Sequence, residues 1–332
     1  MSQIPLIWYC LLILALFLYV LLDGFDLGVG ILFPFAPSDE SRDLMMNSIA
    51  PFWDGNETWL VLSGGGLLAA FPLAYAILMP AFYMPVILML LGLIFRGVAF
   101  EFRFKAVRAR RVWDYAFHFG SVLAAFMQGM ILGSYVGGVQ VAGRSFAGGP
   151  FDWVSAYSFM TGVALIFGYA LLGSTWLVMK TEALTQNWAR KCASYVLAYV
   201  ALFLVIVSIS VPTMNSAIRQ LWFSFPDFFY LLPMPLASAV LIVSIWRQLG
   251  RGAQISPFLM SLGVFLLGYI GWGISLWPWL VPFAVTFRQA AAAPSSQAFL
   301  LAGTLFVLPL ILAYVAYCYY VFRGKVSQGG YY

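Results

Sequence analysis

Several acidic residues lie within apolar stretches of this sequence, where a charged side chain is energetically unfavourable. Asp23 and Asp26 are three residues apart in the segment Asp23-Gly-Phe-Asp-Leu-Gly-Val-Gly30. Asp54 and Glu57 repeat that spacing in Pro51-Phe-Trp-Asp-Gly-Asn-Glu-Thr-Trp59. Residues three apart share one face of an α-helix. Because a carboxyl group removed from water favours its neutral form, such groups can hold a proton. These pairs predict a proton or cation pathway.

One basic residue, Arg96, also lies within an apolar stretch, with Glu101 and Arg103 just beyond it. A charged side chain deep in hydrocarbon costs at least about 2.5–3.5 kcal/mol on insertion scales. Four acids and a single base therefore require partners, water or bound protons.

Two structural alternatives remain open for the acids. Asp54 and Glu57 could cap a helix, because acids favour a helix N-terminus and Pro51 suits a first turn. Asp23 and Asp26 lie near a predicted helix C-terminus, where the helix dipole disfavours negative charge. Their alternative is a structural hydrogen bond to a neighbouring helix or subunit.

Glycines accompany the acids. Gly24 and Gly28 form Gly-x-x-x-Gly, and Gly64, Gly65 and Gly66 follow the second acidic pair. Small residues allow helix backbones to approach closely within a bilayer. The pattern predicts that the first two apolar segments pack tightly around the acids.

The composition places these residues in a membrane protein. Of the 332 residues, 63% are hydrophobic and only 9% are charged, whereas soluble proteins average roughly 45–50% and about 25%. An ordinary soluble protein, a disordered chain and a nucleic-acid-binding protein are excluded.

Nine apolar segments are long enough to cross a bilayer as helices, which requires about 20 residues each. They predict an all-α integral membrane protein forming a single polytopic domain over residues 1–332. The predicted segments are 5–33, 52–71, 77–99, 115–139, 155–179, 191–213, 226–246, 255–277 and 297–322.

Loop charges predict the orientation of these segments. Most of the 17 Lys and Arg residues fall in the connections that follow odd-numbered segments. Cytoplasmic loops carry an excess of Lys and Arg, so the N-terminus is expected outside and the C-terminus in the cytoplasm. The acids then lie in the cytoplasmic half of the membrane.

Two segments resemble subunit II of the cytochrome bd-type quinol oxidases, terminal oxidases of bacterial respiratory chains. They are the Asp23–Gly30 segment and Asn47-Ser-Ile-Ala-Pro-Phe-Trp-Asp-Gly-Asn-Glu-Thr-Trp-Leu60. The segment Phe95-Arg-Gly-Val-Ala-Phe-Glu-Phe-Arg-Phe-Lys105, which holds Arg96, and the closing stretch 308–320 are similar to the same family.

The resemblance implies a fold and a function. The fold would be two four-helix bundles, about 1–140 and about 150–280, and a final helix at about 297–322. The complex would oxidise quinol and reduce dioxygen to water in the bacterial cytoplasmic membrane. Haem b and haem d would lie in a partner, subunit I, and this chain would bind no haem. The complex could also contain small accessory transmembrane subunits, and a quinone or a lipid could bind to this chain. The single histidine, His118, agrees, since haem commonly takes histidine or methionine ligands.

The resemblance also implies roles for the acids. Asp54 matches a carboxylate in a proton route toward the oxygen-reducing haem, and Asp23 and Asp26 match acids at its cytoplasmic entrance. Glu57 belongs to the same cluster, but some members of the family carry glutamine there, which favours capping for this residue.

Further residues match the family motif. Trp59 corresponds to a tryptophan beside a hydrophobic oxygen-access route, and Trp53 and Asn56 are expected to pack or hydrogen-bond nearby. The rival hypothesis is a proton- or cation-coupled secondary transporter that uses the same acids. Its expected broken helices do not occur at matching positions in the two halves of the sequence.

Overall fold

The computed structural model describes residues 3–106, 108–214 and 216–326. These residues form fourteen α-helices: α1 (Ile4–Leu32), α2 (Asp39–Ile49), α3 (Trp53–Ala70), α4 (Pro72–Ala81), α5 (Tyr83–Arg103), α6 (Arg110–Gly137), α7 (Ala156–Lys180), α8 (Ala183–Met214), α9 (Ser216–Phe223), α10 (Asp227–Leu231), α11 (Pro233–Gly250), α12 (Ser256–Leu276), α13 (Phe287–Ala290) and α14 (Pro294–Val321). A 3₁₀-helix (Phe33–Phe35) follows α1, and there are four short strands: β1 (Val141–Ala142), β2 (Ser145–Phe146), β3 (Trp279–Val281) and β4 (Val285–Thr286).

The predicted all-α membrane architecture is confirmed at the level of its long helices. Among the described residues, 8 helical segments are long and apolar enough to cross a membrane. They correspond to every predicted segment except 52–71. That segment forms α3, whose first turns contain Asp54, Asn56 and Glu57 and lower its mean hydropathy. A ninth crossing and the division into two bundles therefore stay predictions.

The connections contain more structure than the sequence analysis indicated. Residues 34–51, treated as a connection, include the helix α2, which begins where the Ser38 side chain accepts a hydrogen bond from the Ser41 amide. Ser, Thr, Asp and Asn are favoured at this position because they satisfy a free N–H group of the first turn. The predicted segment 226–246 is divided between α10 and α11.

Two small hairpins also lie in connections. β1 pairs antiparallel with β2, and β3 pairs antiparallel with β4. Gly143 opens the two-residue turn between β1 and β2 with a φ of 61°. Positive φ at that position is characteristic of tight hairpin turns and favours glycine.

The centre of the fold is α1, which packs against α3, α6 and α7. Gly24 and Gly28 make the contact with α7 possible. A Cβ atom at Gly28 would lie 1.8 Å from the Tyr169 carbonyl oxygen, and one at Gly24 would lie 2.8 Å from the Tyr169 ring. Gly24 and Gly28 therefore face the fifth predicted segment. The expected close packing of the first two segments is confirmed, since α1 contacts α3 and a Cβ atom at Gly66 would lie 2.6 Å from the Leu12 side chain.

Large apolar side chains cover much of the outside. On α14 these include Phe299, Leu305, Phe306, Leu310 and Tyr314, each more than half exposed. Exposed apolar surface of this extent marks contact with lipid or with another protein. Together with the 8 long apolar segments, it makes this a multi-pass membrane protein.

Candidate functional site

The candidate site is built around Arg96, whose side chain on α5 is fully buried. Its Nη1 donates to Asp23 Oδ1 of α1 at 2.6 Å, and its Nη2 donates to Glu57 Oε1 of α3 at 2.7 Å. Three helices are thus joined by one guanidinium group, whose planar fork suits two carboxylate partners. The Asp23 side chain is fully buried, whereas that of Glu57 is 26% exposed.

Asp26 lies beside this pair but does not bond Arg96. Its Oδ2 accepts a hydrogen bond of 2.7 Å from Asn56 Nδ2. Asn56 Nδ2 also donates to the Leu22 carbonyl at 3.2 Å, and Asn56 Oδ1 accepts from the Tyr319 hydroxyl at 3.2 Å. The structural hydrogen bond considered for the first-helix acids therefore exists for Asp26, and α14 is tied to the same site.

The acids of α3 behave differently from one another. No side chain caps this helix through a hydrogen bond, so the capping alternative for Glu57 gives way to its salt bridge with Arg96. Asp54 lies in the first turn, is exposed, and forms no side-chain hydrogen bond or salt bridge with the described residues. Asp23, Asp26, Glu57 and Arg96 are therefore brought together, while Asp54 lies on the outer surface next to them.

The motif tryptophan Trp53 packs at the edge of the site. Its ring stacks on Phe100 of α5 with centroids 4.9 Å apart and planes 5° apart. This contact fixes α3 against α5, the two helices that supply Glu57 and Arg96. Packing or hydrogen bonding was expected for Trp53, and the structure places its ring in a packing contact.

A second hydrogen-bonded chain, which was not predicted from the sequence, links Tyr19 of α1 to α6 and α7. The Tyr169 hydroxyl donates to Gln128 Oε1 at 2.7 Å, and Gln128 Nε2 donates to the Tyr19 hydroxyl oxygen at 2.7 Å. Tyr19 lies on α1, one helical turn before Asp23. The available signal was Gln128 itself, an amide within an otherwise apolar helix.

A separate ionic cluster joins the ends of α2, α5 and α6. The Arg103 side chain is fully buried, donates to Asp43 Oδ1 at 2.6 Å and to Asp114 Oδ1 at 2.5 Å, and lies over the Phe33 ring. Arg110 also pairs with Asp43. From the sequence, these arginines were interpreted as loop charges. The acidic partners of Arg103 could not be identified from the sequence because they lie 60 and 11 residues away.

The single histidine lies away from the acids. His118 Nδ1 is 3.3 Å from the Gly30 carbonyl oxygen, and its ring contacts Phe35 and Phe119. These neighbours suit a packed, hydrogen-bonded side chain. They include no second histidine or methionine facing the ring.

A family model described as cytochrome bd terminal oxidase subunit II matches residues 4–322. The chain belongs to this family. It is therefore a subunit of an oxidoreductase complex, and the match favours the oxidase hypothesis over the ion-coupled transporter. The segment around Asp23, Asp54 and Arg96 that suggested the resemblance lies within the matched residues.

Relatives agree over nearly their whole length. This subunit II chain is 28% identical to cytochrome bd ubiquinol oxidase subunit 2 of Bacillus subtilis, over 99% of this chain and 98% of the relative. It is 29% identical to cytochrome bd-I ubiquinol oxidase subunit 2 of Escherichia coli (strain K12), over 97% and 95% respectively.

A solved structure supports the same fold. A chain of the bd oxidase from Geobacillus thermodenitrificans is similar with a TM-score of 0.74, covering 98% of this chain and 100% of that one at 18% identity. At this identity the comparison bears on the fold alone.

Trp59, the tryptophan expected beside an oxygen route, is buried between α1, α3 and α14. It borders a small apolar cleft lined also by Trp8, Leu12, Ala15 and Leu308. Its indole Nε1 has no hydrogen-bond partner among the described residues. The side chains around Trp59 in this subunit II chain are therefore predominantly apolar.

Proposed function

We propose that this chain is the non-haem subunit of a membrane quinol:O₂ oxidoreductase that reduces dioxygen to water. Its partner, subunit I, would hold haem b and haem d and supply the redox chemistry, with quinol and dioxygen as substrates. Family membership and the names of the relatives support this assignment. The packed surroundings of His118 support placing the haems in the partner.

The chain contributes a proton route through its acids. The observation that carries this proposal is the buried cluster Asp23–Arg96–Glu57 with Asp26 beside it, adjoining Asp54 on the surface. Glu57 is both part of the cluster and partly exposed, so it connects the interior with Asp54. Carboxyl groups that are partly or fully desolvated can exchange protons without leaving a stable ion in the membrane.

Asp54 marks the face that meets the partner. On α3 the residues Asp54, Thr58, Val61, Gly65 and Leu68 are all exposed, and their spacing of three and four places them on one helical stripe. A Cβ atom added at Gly65 would meet nothing within 4 Å. An unpaired carboxylate facing lipid is costly, and open glycines in membrane helices suit contact with another helix. Subunit I therefore covers this stripe and receives protons at Asp54.

The loop charges support the orientation of this route, with the N-terminus outside and the C-terminus in the cytoplasm. α3 then crosses the membrane as the ninth span, its polar first turns shielded by α1, α5 and the partner. The protons are taken from the cytoplasmic side. Lipid, and small accessory transmembrane subunits, would contact the remaining apolar surface, where a quinone could also bind.

Replacing Asp54 with asparagine tests the proton route. We expect oxygen reduction by the purified complex to slow about tenfold, equivalent to about 1.4 kcal/mol in the barrier, because the amide cannot take up and release a proton. Haem content should stay normal, since the Asp54 side chain forms no hydrogen bond or salt bridge with the described residues of its own chain. The measurement is quinol-dependent oxygen uptake per haem d.

Asp227→Asn provides the matched control, because Asp227 is an exposed acid on α10 in the other half of the chain. Its turnover should equal that of the wild type. Full turnover of Asp54→Asn with normal haem content would contradict a proton role for Asp54.

The apolar cleft beside Trp59 guides dioxygen toward the partner. Ala15 is buried and lines this cleft, so Ala15→Leu would fill it. We expect the KM for dioxygen to rise severalfold while the KM for quinol is unchanged. Oxygen uptake at graded oxygen concentrations measures this.

The control for the cleft is Ala302→Leu, an equal enlargement at an exposed position on α14. It should leave both KM values at the wild-type level. An unchanged KM for dioxygen in a well-assembled Ala15→Leu complex would exclude this cleft as the access route.

A further inference from the structure

The cluster around Arg96 contains more negative than positive charge. Asp23, Asp26 and Glu57 surround one guanidinium group, and only Glu57 has an exposed portion. With all three acids ionised, the site would carry a net charge of about −2 in a buried environment, where unpaired charge is strongly destabilising. At least one of the three therefore retains a proton.

The hydrogen bonds distinguish the three acids. Arg96 donates to Asp23 and to Glu57 at 2.6 and 2.7 Å, and such charge-assisted bonds favour the ionised carboxylate. Asp26 receives a bond only from the neutral amide of Asn56. Its other oxygen, Oδ1, is buried without a hydrogen-bond partner among the described residues, as is Asp23 Oδ2, so the two aspartates differ in the Arg96 bond that only Asp23 receives. A proton is therefore least costly on Asp26.

The position of that proton follows from Asn56. Its Nδ2 is directed at both Asp26 Oδ2 and the Leu22 carbonyl oxygen. A carbonyl oxygen can only accept a hydrogen bond, so the amide must present its NH₂ group to this side. Asp26 Oδ2 is then an acceptor, and the proton belongs on Oδ1.

A second set of residues favours charge on Asp23. Tyr169 donates to Gln128, and Gln128 donates to the Tyr19 hydroxyl oxygen. Because Tyr19 already accepts from Gln128, its own hydroxyl hydrogen is available to Asp23 Oδ2, which lies one helical turn further along α1 and is buried without a hydrogen-bond partner among the described residues. Tyr19 and Tyr169 are buried, so this alignment is screened from water.

We propose that Asp26 Oδ1 holds the transferable proton of the cluster, and that Tyr169, Gln128 and Tyr19 are positioning residues that keep Asp23 ionised as the partner of Arg96. This inference rests on the proposed proton route and assigns its proton to one atom. Arg96 holds the charges in place and does not exchange its own proton.

Infrared spectroscopy of the purified oxidase complex tests the assignment at neutral pH. Isotope-labelled aspartate and exchange into D₂O identify the C=O band of a protonated aspartic acid. We expect one such band from this cluster, lost in Asp26→Asn and retained in Asp23→Asn. Asp26→Glu should move the band from aspartate to glutamate labelling, which keeps the test valid if the asparagine variant assembles poorly.

The positioning residues have their own readout. Tyr19→Phe should produce a second protonated-aspartate band, because Asp23 loses a donor to its ionised form. Tyr314→Phe, at an exposed tyrosine of α14, should leave the spectrum unchanged. A wild-type spectrum in Tyr19→Phe would overturn the positioning role.

The outcomes also separate this inference from the proposed function. Loss of the band in Asp26→Asn together with normal turnover would support the protonation state and contradict the proton route. A band that persists in Asp26→Asn but disappears in Asp23→Asn would overturn the assignment whatever the turnover. Absence of any protonated aspartate in the wild-type cluster would overturn it as well.

Discussion

Replacing Arg96 with leucine should prevent assembly of a stable oxidase. The substitution removes the only cation among the described residues bonded to Asp23 and Glu57 and leaves their charge buried in the fold. Removing one partner of a buried ion pair typically costs about 3–5 kcal/mol, a large share of the stability of a folded domain. The measurement is the amount of haem-containing complex in membranes and its thermal denaturation.

Compensating substitutions sharpen this expectation. Combining Arg96→Leu with Asp23→Asn and Glu57→Gln removes the uncompensated charge, so assembly should recover in part while the proton route stays impaired. Arg251→Leu, at an exposed arginine, should have no effect. If Arg96→Leu alone assembled at the wild-type level with unchanged thermal stability, the cluster would not be held together by this guanidinium.

Replacing Gly28 with alanine should be the second large effect. The added Cβ atom would lie 1.8 Å from the Tyr169 carbonyl oxygen and 2.8 Å from the Gly173 amide nitrogen. Both atoms are backbone, so α1 and α7 must move apart. Overpacking usually costs about 1–3 kcal/mol of folding stability. Because backbone atoms cannot move aside as a flexible side chain can, we expect a loss of stability at or above the upper end of this range. Thermal inactivation of the complex measures the loss.

The matched control is Gly268→Ala on α12, where an added Cβ would meet nothing within 4 Å. Alanine is the better helix former, so this change should be neutral or slightly stabilising. Equal stability of the Gly28 and Gly268 variants would mean that α1 and α7 do not approach as closely in the complex as they do here.

The general architecture followed from the sequence because its causes are local. Apolar residues in runs of about 20 predict membrane helices, and 8 of the predicted segments are long apolar helices in the structure. The short helix α2 and the two hairpins were missed because they depend on capping and turn geometry in polar connections. α3 is a helix as predicted at segment 52–71, but Asp54, Asn56 and Glu57 lower its mean hydropathy, so it is not among these 8 helices.

The chemistry was predictable as a set of residue types but not as a set of contacts. The sequence by itself determined that four acids and one arginine lie within apolar segments. Charged side chains are unfavourable there, so their presence indicates either a function or ion pairing. The tertiary structure decided that Arg96 bonds Asp23 and Glu57, 73 and 39 residues away, and that Asp54 faces outward. Such pairings depend on the rotation of each helix against its neighbours. That rotation is set by close contacts such as that of Gly28 with Tyr169, which residue spacing within one helix does not encode.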